Sequence, residues 1–562
     1  MSKFLLLGLD GATFEMLDPM LETGRLPVLE RLLRDGASGT LESTLPPYTC
    51  PAWPTMYTGR NPGAHGVFSF RIIPPDSVEG RAATLADVQG VRIWNLLNQA
   101  GVRTGIFNVP VTYPAEALDG FMVSGFVTPP NAPQAVEPEN KQDAFYAAVP
   151  GYDCNGPRIA GQALATSDQQ RFFIEQQKEN LRTRRRALAW WLREEPVDFL
   201  WLVLTTIDRI SHPGYGYLVP GSPCYDTDDG KRIREMVLEL LEVQDEVIGA
   251  ALEMMDDPAV MVVSDHGFAH VRKQFDMRTW LIDQGLMVPR RSVSVRGKAK
   301  RLVRRAVYAA VGHKAWATLS SMIRRPLGLT PAENPREEIW SAQRQRTWDW
   351  ARSQAWLGPS MEYGVRVNTT QRHENGVVSP EEYDDVVARI VEGLRDVRDP
   401  ESGENVFERV ERRDDVYEGP YVARAPDVVV LPKRDTAHQT PVSIQADARK
   451  GWVAAVPDWN AAGHHDPDGV FAARGLQFLD GDVAVARLYD VTPTVLHAMG
   501  VPVPEDLDGR VLEEVFSEAY RRSHPIERTE AAAEGPSSGQ TQGYSAEDEA
   551  AIARRLEDLG YM

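Results

Sequence analysis

Four short hydrophobic runs stand out in the first half of the chain. They are KFLLLGLDG (3–11), VRTGIFNVP (102–110), VDFLWLVLTTID (197–208) and AVMVVSDHG (259–267). Because these runs are apolar at consecutive positions, they predict strands buried on both faces, as in a parallel sheet covered by helices. Helical patterns at 170–194 and 229–255 lie between them. The alternation predicts an α/β fold with a mostly parallel central sheet.

Three of these runs end in an aspartate, at Asp10, Asp208 and Asp265. In open α/β sheets, ligands bind at the carboxyl ends of the strands, so we expect the three carboxylates at one edge of the sheet. An aspartate after a strand is often only a turn or helix cap. Each residue alone is therefore weak evidence for a site.

Histidines accompany two of these aspartates. In DRISH, His212 follows Asp208 by four residues, and one turn of helix would place both side chains on one face. In SDHG, His266 directly follows Asp265 at the end of a buried strand. Both spacings suit a shared cation, although the first is equally compatible with a surface pair.

A later loop, AAGHHDPDGVF (461–471), adds His464 and His465. A mixed set of carboxylate and imidazole ligands is typical of zinc, and iron or manganese also accept it. Two divalent ions about 4 Å apart would use all of these ligands and would clamp the attacking and leaving oxygens of a phosphoryl transfer. A structural metal is the alternative.

Two adjacent residues in PPYTCPAWPTMYTGRNPGAHGVF (46–68) are candidate nucleophiles, Thr49 and Cys50. Thr49 is placed like an N-cap, and Pro51 can occupy the first turn of the following helix. A helix N-terminus and a nearby cation would both favour an alkoxide. Cys50 has no histidine next to it in the sequence, so the pattern favours Thr49.

The composition limits the classes of function. The chain has 562 residues and a formal charge of −19, which argues against general nucleic-acid binding. Its three cysteines are far apart, so we expect no disulfide framework and a reducing compartment. The start, MSKFLLLGLDGATF, is typical of a buried strand rather than a signal peptide, and no apolar run approaches a membrane span. We therefore expect a cytoplasmic protein.

Residues 284–332 depart from the acidic composition, with eleven Lys or Arg and no Asp or Glu. The simplest interpretation is a solvated insertion. The alternative is a lid over an anionic substrate, or a surface for peripheral contact with an anionic membrane. Arg301, Arg304 and Arg305 are the candidate substrate contacts in this segment.

An ordered set of motifs resembles a known family. They are LGLDGATFEML, TCPAWPTMYTGRNPGAHGVFSF, NVPVTYP, TTIDRISH, VVSDHGF, APDVVVLP, GHHDPDGVFAARG and LYDVTPTVLHAMGVPVPEDLDGRVL, running from residue 5 to about 515. The chain is similar to the alkaline phosphatase superfamily, in its type I phosphodiesterase/nucleotide pyrophosphatase branch, and within it to a group of predicted phosphohydrolases or phosphomutases. The resemblance implies an alkaline-phosphatase-like α/β sandwich.

The resemblance also implies a ligand set for two divalent ions, with Zn²⁺ preferred and Mn²⁺ or Fe as alternatives. One group is Asp208, His212 and His465, and the other is Asp10, Thr49, Asp265 and His266. His465 is preferred to His464 because the family pattern Gly-x-His-x-Pro-Asp-Gly begins at Gly463.

The resemblance makes Thr49 the catalytic nucleophile of a phosphate-ester hydrolase, with a phospho-threonine intermediate and a phosphodiester as the favoured substrate. A phosphomutase is the first alternative, and a non-catalytic metal-stabilised binding protein is a remote one. The expected partner is an anionic phosphate ester, either a small molecule or lipid-linked, and not a nucleic acid.

Two departures from the family pattern reduce the number of activities that we expect. Related sulfatases use Cys-x-Pro-x-Arg, but here Cys50 falls one place late and Trp53 occupies the arginine position, which disfavours sulfatase activity. Nucleotide pyrophosphatases carry an Asn three residues after their Thr, where this chain has Ala52. Nucleotide diesters are therefore doubtful substrates.

The pattern predicts five regions along the chain. They are a first part of the catalytic core at 1–283, a basic helical insertion at 284–340, a second part of the core at 341–522, a linker at 523–546 and a short C-terminal helix at 547–562. The linker is low in apolar residues, which favours disorder.

Overall fold

The structure is a computed structural model. It describes residues 3–78, 80–129, 132–157, 164, 166–289, 348–358, 362–433, 438–439, 452–455, 461–475, 477–479, 481–483, 485–530 and 544–558. Most of the basic segment, including Arg301, Arg304 and Arg305, lies outside these residues. So do 531–543 of the predicted linker.

A large mixed sheet forms the centre of the molecule, and ten of its strands belong to the described residues. Across the sheet they run in the order Gly481–Asp482, Ala37–Glu42, Asp468–Arg474, Ala259–Val263, Phe4–Leu9, Phe199–Leu204, Thr104–Phe107, Gly120–Val123 and Val136–Glu137, with Ala486–Arg487 also pairing with Ala37–Glu42. The Phe4–Leu9 strand pairs in parallel with both of its neighbours. Every residue of Phe4–Leu9 and Phe199–Leu204 is buried, as the apolar runs predict.

Helices cover both faces of this sheet. The described helices are Phe14–Leu21, Pro27–Arg34, Thr49–Thr58, Pro62–His65, Ile93–Gln99, Gln142–Ala148, Ser167–Glu194, Thr206–Leu218, Asp228–Met254, Met277–Asp283, Pro380–Arg395, Arg413–Val416, Val491–Ala498, Glu518–Ser523 and Ala546–Asp558. The α/β class and the mostly parallel centre of the sheet are therefore confirmed. The helical patterns at 170–194 and 229–255 correspond to the two longest helices in the described residues.

A smaller apolar core lies around a second sheet, which is antiparallel. Its strands, in spatial order, are Ala355–Trp356, Gly364–Val367, Val428–Pro432 and Phe407–Arg412. The Pro380–Arg395 helix contributes Val387, Ile390 and Leu394 to this core. Shorter strands pair elsewhere: Arg71–Ile72 with Arg81–Ala82, Lys273–Phe275 with His438–Gln439 and Val453–Ala455, and Val503–Pro504 with Arg528–Thr529.

One short antiparallel pair matters for the site. Gly267–His270 follows the SDHG motif, and Gly463–Asp466 carries the second histidine pair. Their register places Phe268 opposite His465. The two motifs are almost two hundred positions apart in sequence, and this pairing brings them together.

The last described helix, Ala546–Asp558, packs on the body of the molecule through Ile552 and Leu556, which are both buried. Ahead of it, the ring of Tyr544 stacks on that of Tyr113, with centroids 5.5 Å apart. In the ranges that the structure covers, no helix combines the length and apolar character needed to cross a membrane.

Candidate active site

The three aspartates meet at the carboxyl edge of the central sheet. Asp10 follows the Phe4–Leu9 strand, and Asp265 comes two residues after Ala259–Val263. Asp208 lies in the first turn of the Thr206–Leu218 helix, and its backbone N–H donates to the Asp10 carbonyl at 3.0 Å. All three side chains are buried. The parallel pairing of adjacent strands therefore gathers the carboxylates as the sequence predicts.

A first cluster contains Asp208, His212 and His465. Oδ1 of Asp208 lies 3.2 Å from Nε2 of His212 and 3.5 Å from Nε2 of His465. The two imidazole nitrogens are themselves 3.2 Å apart. One ligand atom from each residue lies within 4.8 Å of the others, which is a spacing that a single cation can bridge.

A second cluster contains Asp10, Asp265 and His266, again with ligand atoms within 4.8 Å of one another. Nε2 of His266 is 3.3 Å from Oδ2 of Asp265 and 3.8 Å from Oδ1 of Asp10. Those two carboxylate oxygens are buried and accept no hydrogen bond from the described residues. The rings of His266 and His465 stack with centroids 3.7 Å apart, so the two clusters adjoin.

The backbone orients the second cluster. Nδ1 of His266 lies 3.0 Å from the carbonyl of Gly267 and must donate to it, which leaves the Nε2 lone pair facing the carboxylates. The backbone N–H of Gly11 donates to Oδ1 of Asp265 at 3.2 Å. This hydrogen bond does not involve Oδ2, the oxygen that faces His266. Outer hydrogen bonds of this kind fix the ligands of metal sites.

His464 and His465 point to different surroundings because successive residues of a strand face opposite sides. His465 joins Asp208 and His212, whereas the ring of His464 hydrogen-bonds the hydroxyl of Tyr363. Burial lowers the pKa of both histidines to about 3. The geometry thus brings His465, and not His464, to the first cluster.

Thr49 is the first residue of the Thr49–Thr58 helix, and Tyr48 holds the N-cap position. The N-cap interpretation of Thr49 is therefore wrong by one residue. Its side chain does not cap the helix; Oγ1 lies 3.2 Å from Nε2 of His266. Pro51 lies in the first turn, where its missing N–H leaves no hydrogen bond unmade.

Cys50 is fully buried beside Thr49, and burial raises the pKa of its thiol well above the usual range. A thiol in that state is a poor source of thiolate. The environment of Cys50 suits a packing residue.

The carboxylates repel one another in this buried site. Burial and the charges of Asp265 and Asp208 raise the pKa of Asp10 well above its usual range. Burial and Asp208 likewise raise the pKa of Asp265. Burial also acts to raise the pKa of Asp208, but His212 and His465 overcome it and hold that pKa well below its usual range.

Divalent cations fit this set of groups. Burial lowers the pKa of His266, as it does that of His465, which favours the neutral imidazole that binds metals. Three buried carboxylates, together with three imidazoles and a hydroxyl, match the ligand preferences of zinc and similar ions. The two clusters separate the donors into two groups of at least three.

Sequence reasoning overlooked two groups beside the clusters. Tyr363, which bonds His464, lies in a stretch with no motif, so no signal could have identified it. Arg209 is buried directly after Asp208 in DRISH. Arg209 could have been identified from the sequence, because it is a charged residue inside a motif that directly follows a buried strand.

Solved structures to which the chain is similar include mouse ectonucleotide pyrophosphatase/phosphodiesterase 5, an inactive variant in complex with AMP. It is 11% identical, the match covers 92% of this chain and 100% of that one, and the TM-score is 0.49. The human protein is 12% identical, with the same coverage and a TM-score of 0.48. Phosphonoacetate hydrolase from Sinorhizobium meliloti, in complex with phosphonoacetate, is 15% identical, with coverage of 87% and 93% and a TM-score of 0.46.

A search of curated proteins finds no significant match. The sequence does match the family described as type I phosphodiesterase/nucleotide pyrophosphatase, over residues 4–468. That range includes every residue of both clusters and Thr49. The chain therefore belongs to the type I phosphodiesterase/nucleotide pyrophosphatase family and is a metal-dependent hydrolase that acts on phosphoric ester bonds.

Proposed function

We propose that the protein hydrolyses an anionic phosphate ester, with a phosphodiester favoured, through a phospho-threonine intermediate on Thr49. The observation that carries this proposal is the position of the Thr49 hydroxyl. It lies at the start of a helix and 3.2 Å from Nε2 of His266, inside a buried group of carboxylates and imidazoles. A helix N-terminus stabilises negative charge on both the nucleophile and the phosphate.

Two divalent ions would be held by the residues of the two clusters. Asp208, His212 and His465 would bind one ion, and Asp10, Asp265, His266 and Oγ1 of Thr49 would bind the other. We favour Zn²⁺ because the donors mix nitrogen and oxygen, with Mn²⁺ or Fe as alternatives. When bound, such ions stabilise the charge that develops on the attacking and leaving oxygens.

The reaction consists of two displacements at phosphorus. Oγ1 of Thr49 loses its proton and forms a bond to phosphorus, while the bond from phosphorus to the leaving oxygen breaks and that oxygen gains a proton to leave as an alcohol. Water then loses a proton and attacks the phosphorus, the bond to Oγ1 breaks, and Oγ1 is protonated again as the phosphate product is released. Splitting the reaction in this way replaces one difficult step with two easier ones.

The surroundings of Thr49 support a substrate other than a nucleotide diester. By the motif resemblance, Ala52 takes the position of the amide residue of nucleotide pyrophosphatases, and it is fully buried. Its methyl group cannot donate a hydrogen bond to a phosphate oxygen. We therefore propose a small or lipid-linked anionic phosphate ester. We also propose a cytoplasmic setting, which the three free thiols at Cys50, Cys154 and Cys224 support.

A phosphodiester bearing two nitrophenyl groups tests the proposal, with protein loaded with zinc or manganese. We expect release of nitrophenol, and loss of that release in Thr49→Ala. Transfer of phosphate to added glycerol in preference to water would indicate a mutase. Bound ions without turnover of this diester, or of any other phosphate ester, would leave only a metal-stabilised binding protein.

A further inference from the structure

Two arginines are buried next to the first cluster. Arg209 follows Asp208 on the Thr206–Leu218 helix and is 3% exposed. Arg184 lies on the Ser167–Glu194 helix and is 1% exposed. Arginine remains charged in proteins, so both sites hold a positive charge away from water.

Neither guanidinium forms a direct ion pair with a carboxylate among the described residues, although Asp153 is near enough to act on Arg184 and Asp10 is near enough to feel the charge of Arg209. Arg184 donates to Oγ1 of Thr205 at 3.3 Å and to the carbonyl of Cys154 at 2.8 Å, and its Nε has no acceptor there. The guanidinium of Arg209 lies 5.0 Å from the centre of the Phe126 ring, and its Nη1 also has no acceptor.

The two charges repel each other. Burial lowers the pKa of Arg184, and the nearby charge of Arg209 lowers it further. A buried charge without a partner is strongly unfavourable, and it is usually compensated by an ion pair or a ligand. The described residues supply no such ion pair, so a bound anion would provide the missing counter-charge.

A third buried donor lies at the same edge of the sheet. Asn108 directly follows the Thr104–Phe107 strand, which pairs in parallel with the strand that ends just before Thr205. Asn108 is 1% exposed; its Oδ1 accepts from the hydroxyl of Tyr152, and its Nδ2 has no acceptor in the described residues. Burial raises the pKa of Tyr152, and Arg184 opposes that rise, which indicates that these groups are close together.

Aromatic rings connect this region to the nucleophile. Phe126, under the Arg209 guanidinium, packs against Phe70 with centroids 5.3 Å apart. Phe70 packs on Tyr48 at 5.1 Å, and Tyr48 lies 5.7 Å from His465. A continuous chain of ring contacts therefore runs from Arg209 to His465 of the first cluster.

We propose that Arg184, Arg209 and the Nδ2 amide of Asn108 form an anion subsite that binds a second oxyanion of the substrate, a carboxylate or a phosphate. This inference rests on the proposed function, because it concerns the substrate of the same reaction. It narrows that substrate to a phosphate ester that carries another anionic group near the reacting phosphorus. The donors without an acceptor, Nε of Arg184 and Nη1 of Arg209, would give an oxyanion charge-assisted hydrogen bonds, which are stronger than those between neutral groups.

Three matched substrates test the anion subsite on the metal-loaded wild-type protein. They are para-nitrophenyl phenyl phosphate, the same diester with a meta-carboxylate on the phenyl ring, and the same diester with a phosphate group there. We expect one of the two anionic diesters to have a KM about 10- to 100-fold below that of the neutral diester. Which one it is distinguishes a carboxylate ligand from a phosphate ligand.

Variants of Arg209 provide a second test of the anion subsite. In Arg209→Gln, the ratio of kcat/KM between the preferred anionic diester and the neutral diester should fall towards one, mainly through KM. Arg209→Lys, which keeps the charge, should restore part of the ratio. Arg185→Gln changes an exposed arginine next to Arg184 on the same helix and should leave the ratio unchanged.

The outcomes separate this inference from the proposed function. Turnover of the neutral diester that equals or exceeds turnover of both anionic diesters overturns the anion subsite while the hydrolase proposal stands. The anion subsite is also overturned if Arg209→Gln is folded and keeps the wild-type ratio of kcat/KM between the anionic and neutral diesters. Failure of all three diesters to react would instead overturn the proposed function, and the subsite with it. If Arg209→Gln does not fold, the comparison of the three diesters on the wild-type protein still tests whether the anion subsite exists.

Discussion

At the scale of single residues, the adjacent residues Thr49 and Cys50 have different surroundings. Both are buried on the same helix turn, but only Thr49 directs its side chain to His266. The sequence favours Thr49, but it does not show where either side chain points. The distinction depends on which direction each side chain leaves the helix, and that is set by how the helix packs on the sheet.

We predict that Thr49→Ala lowers kcat by about a thousandfold or more, because the nucleophile is lost. Cys50→Ala should stay within a few-fold of wild type. Steady-state kinetics on an aryl phosphodiester measures both, and elemental analysis checks that Thr49→Ala still binds its ions. A large loss in Cys50→Ala, with Thr49→Ala nearly intact, would reverse the assignment.

A second prediction concerns the two adjacent histidines. His465→Ala should lower both bound metal and activity, because one ligand of the first cluster is removed. His464→Ala should retain the metal, since its ring bonds Tyr363 instead. Metal content per chain, measured by elemental analysis on matched preparations, distinguishes the two. If His464→Ala loses the metal and His465→Ala does not, the ligand assignment is off by one residue.

At the scale of elements, much could be predicted from sequence. The strands before Asp10, Asp208 and Asp265 are apolar on both faces, so a parallel sheet and a shared edge follow from pattern alone. The start of the Thr49–Thr58 helix was predicted one residue late, because a Thr before Cys-Pro resembles a cap. The second, antiparallel sheet and the contact of Arg209 with the Phe126 ring depend on segments that are distant in sequence, which no local pattern encodes.

The C-terminal segment illustrates such a contact. The hydroxyl of Tyr544 donates to the carbonyls of Ala83 and Val127, each at 3.2 Å, and its ring stacks on Tyr113. Val127 follows Phe126, which lies under Arg209. The segment therefore contacts the loop that carries Phe126 and Val127, next to the proposed anion subsite.

We predict that Tyr544→Ala destabilises the protein by about 2 kcal/mol, because it removes both ring packing and hydrogen bonds. Tyr544→Phe keeps the ring and should lose about 1 kcal/mol or less. Urea denaturation followed by fluorescence measures both values. Equal stability of Tyr544→Ala and wild type would show that the segment does not hold this loop.

At the scale of the whole molecule, residues from four distant parts of the chain form one buried acidic site. The raised pKa values of Asp10 and Asp265 indicate that the fold without cations disfavours their charged forms. For these two groups, the stability contributed by protonation is present at low pH and is lost as pH rises through their folded pKa. Bound cations should replace that contribution at neutral pH.

We predict that chelation at neutral pH lowers the free energy of unfolding by about 3 kcal/mol for each ion removed, relative to protein at a free-ion concentration 100 times the Kd of each site. This difference should shrink as pH falls, because protons on Asp10 and Asp265 compete with the cations. The decline should begin above the ordinary range of aspartate, since both pKa values are raised. Thermal melting with and without chelator, repeated at several pH values, measures this loss of stability. An unchanged melting temperature after complete metal removal would contradict the account.

The central claim, that Thr49 forms a covalent intermediate, is tested most directly by the stereochemical course at phosphorus. A phosphorothioate diester of known configuration is hydrolysed in isotopically labelled water, and the configuration of the product is determined. Each in-line displacement inverts the phosphorus, so two displacements through phospho-threonine predict overall retention. Overall inversion would mean that water attacks the substrate directly, and it would contradict the role assigned to Thr49.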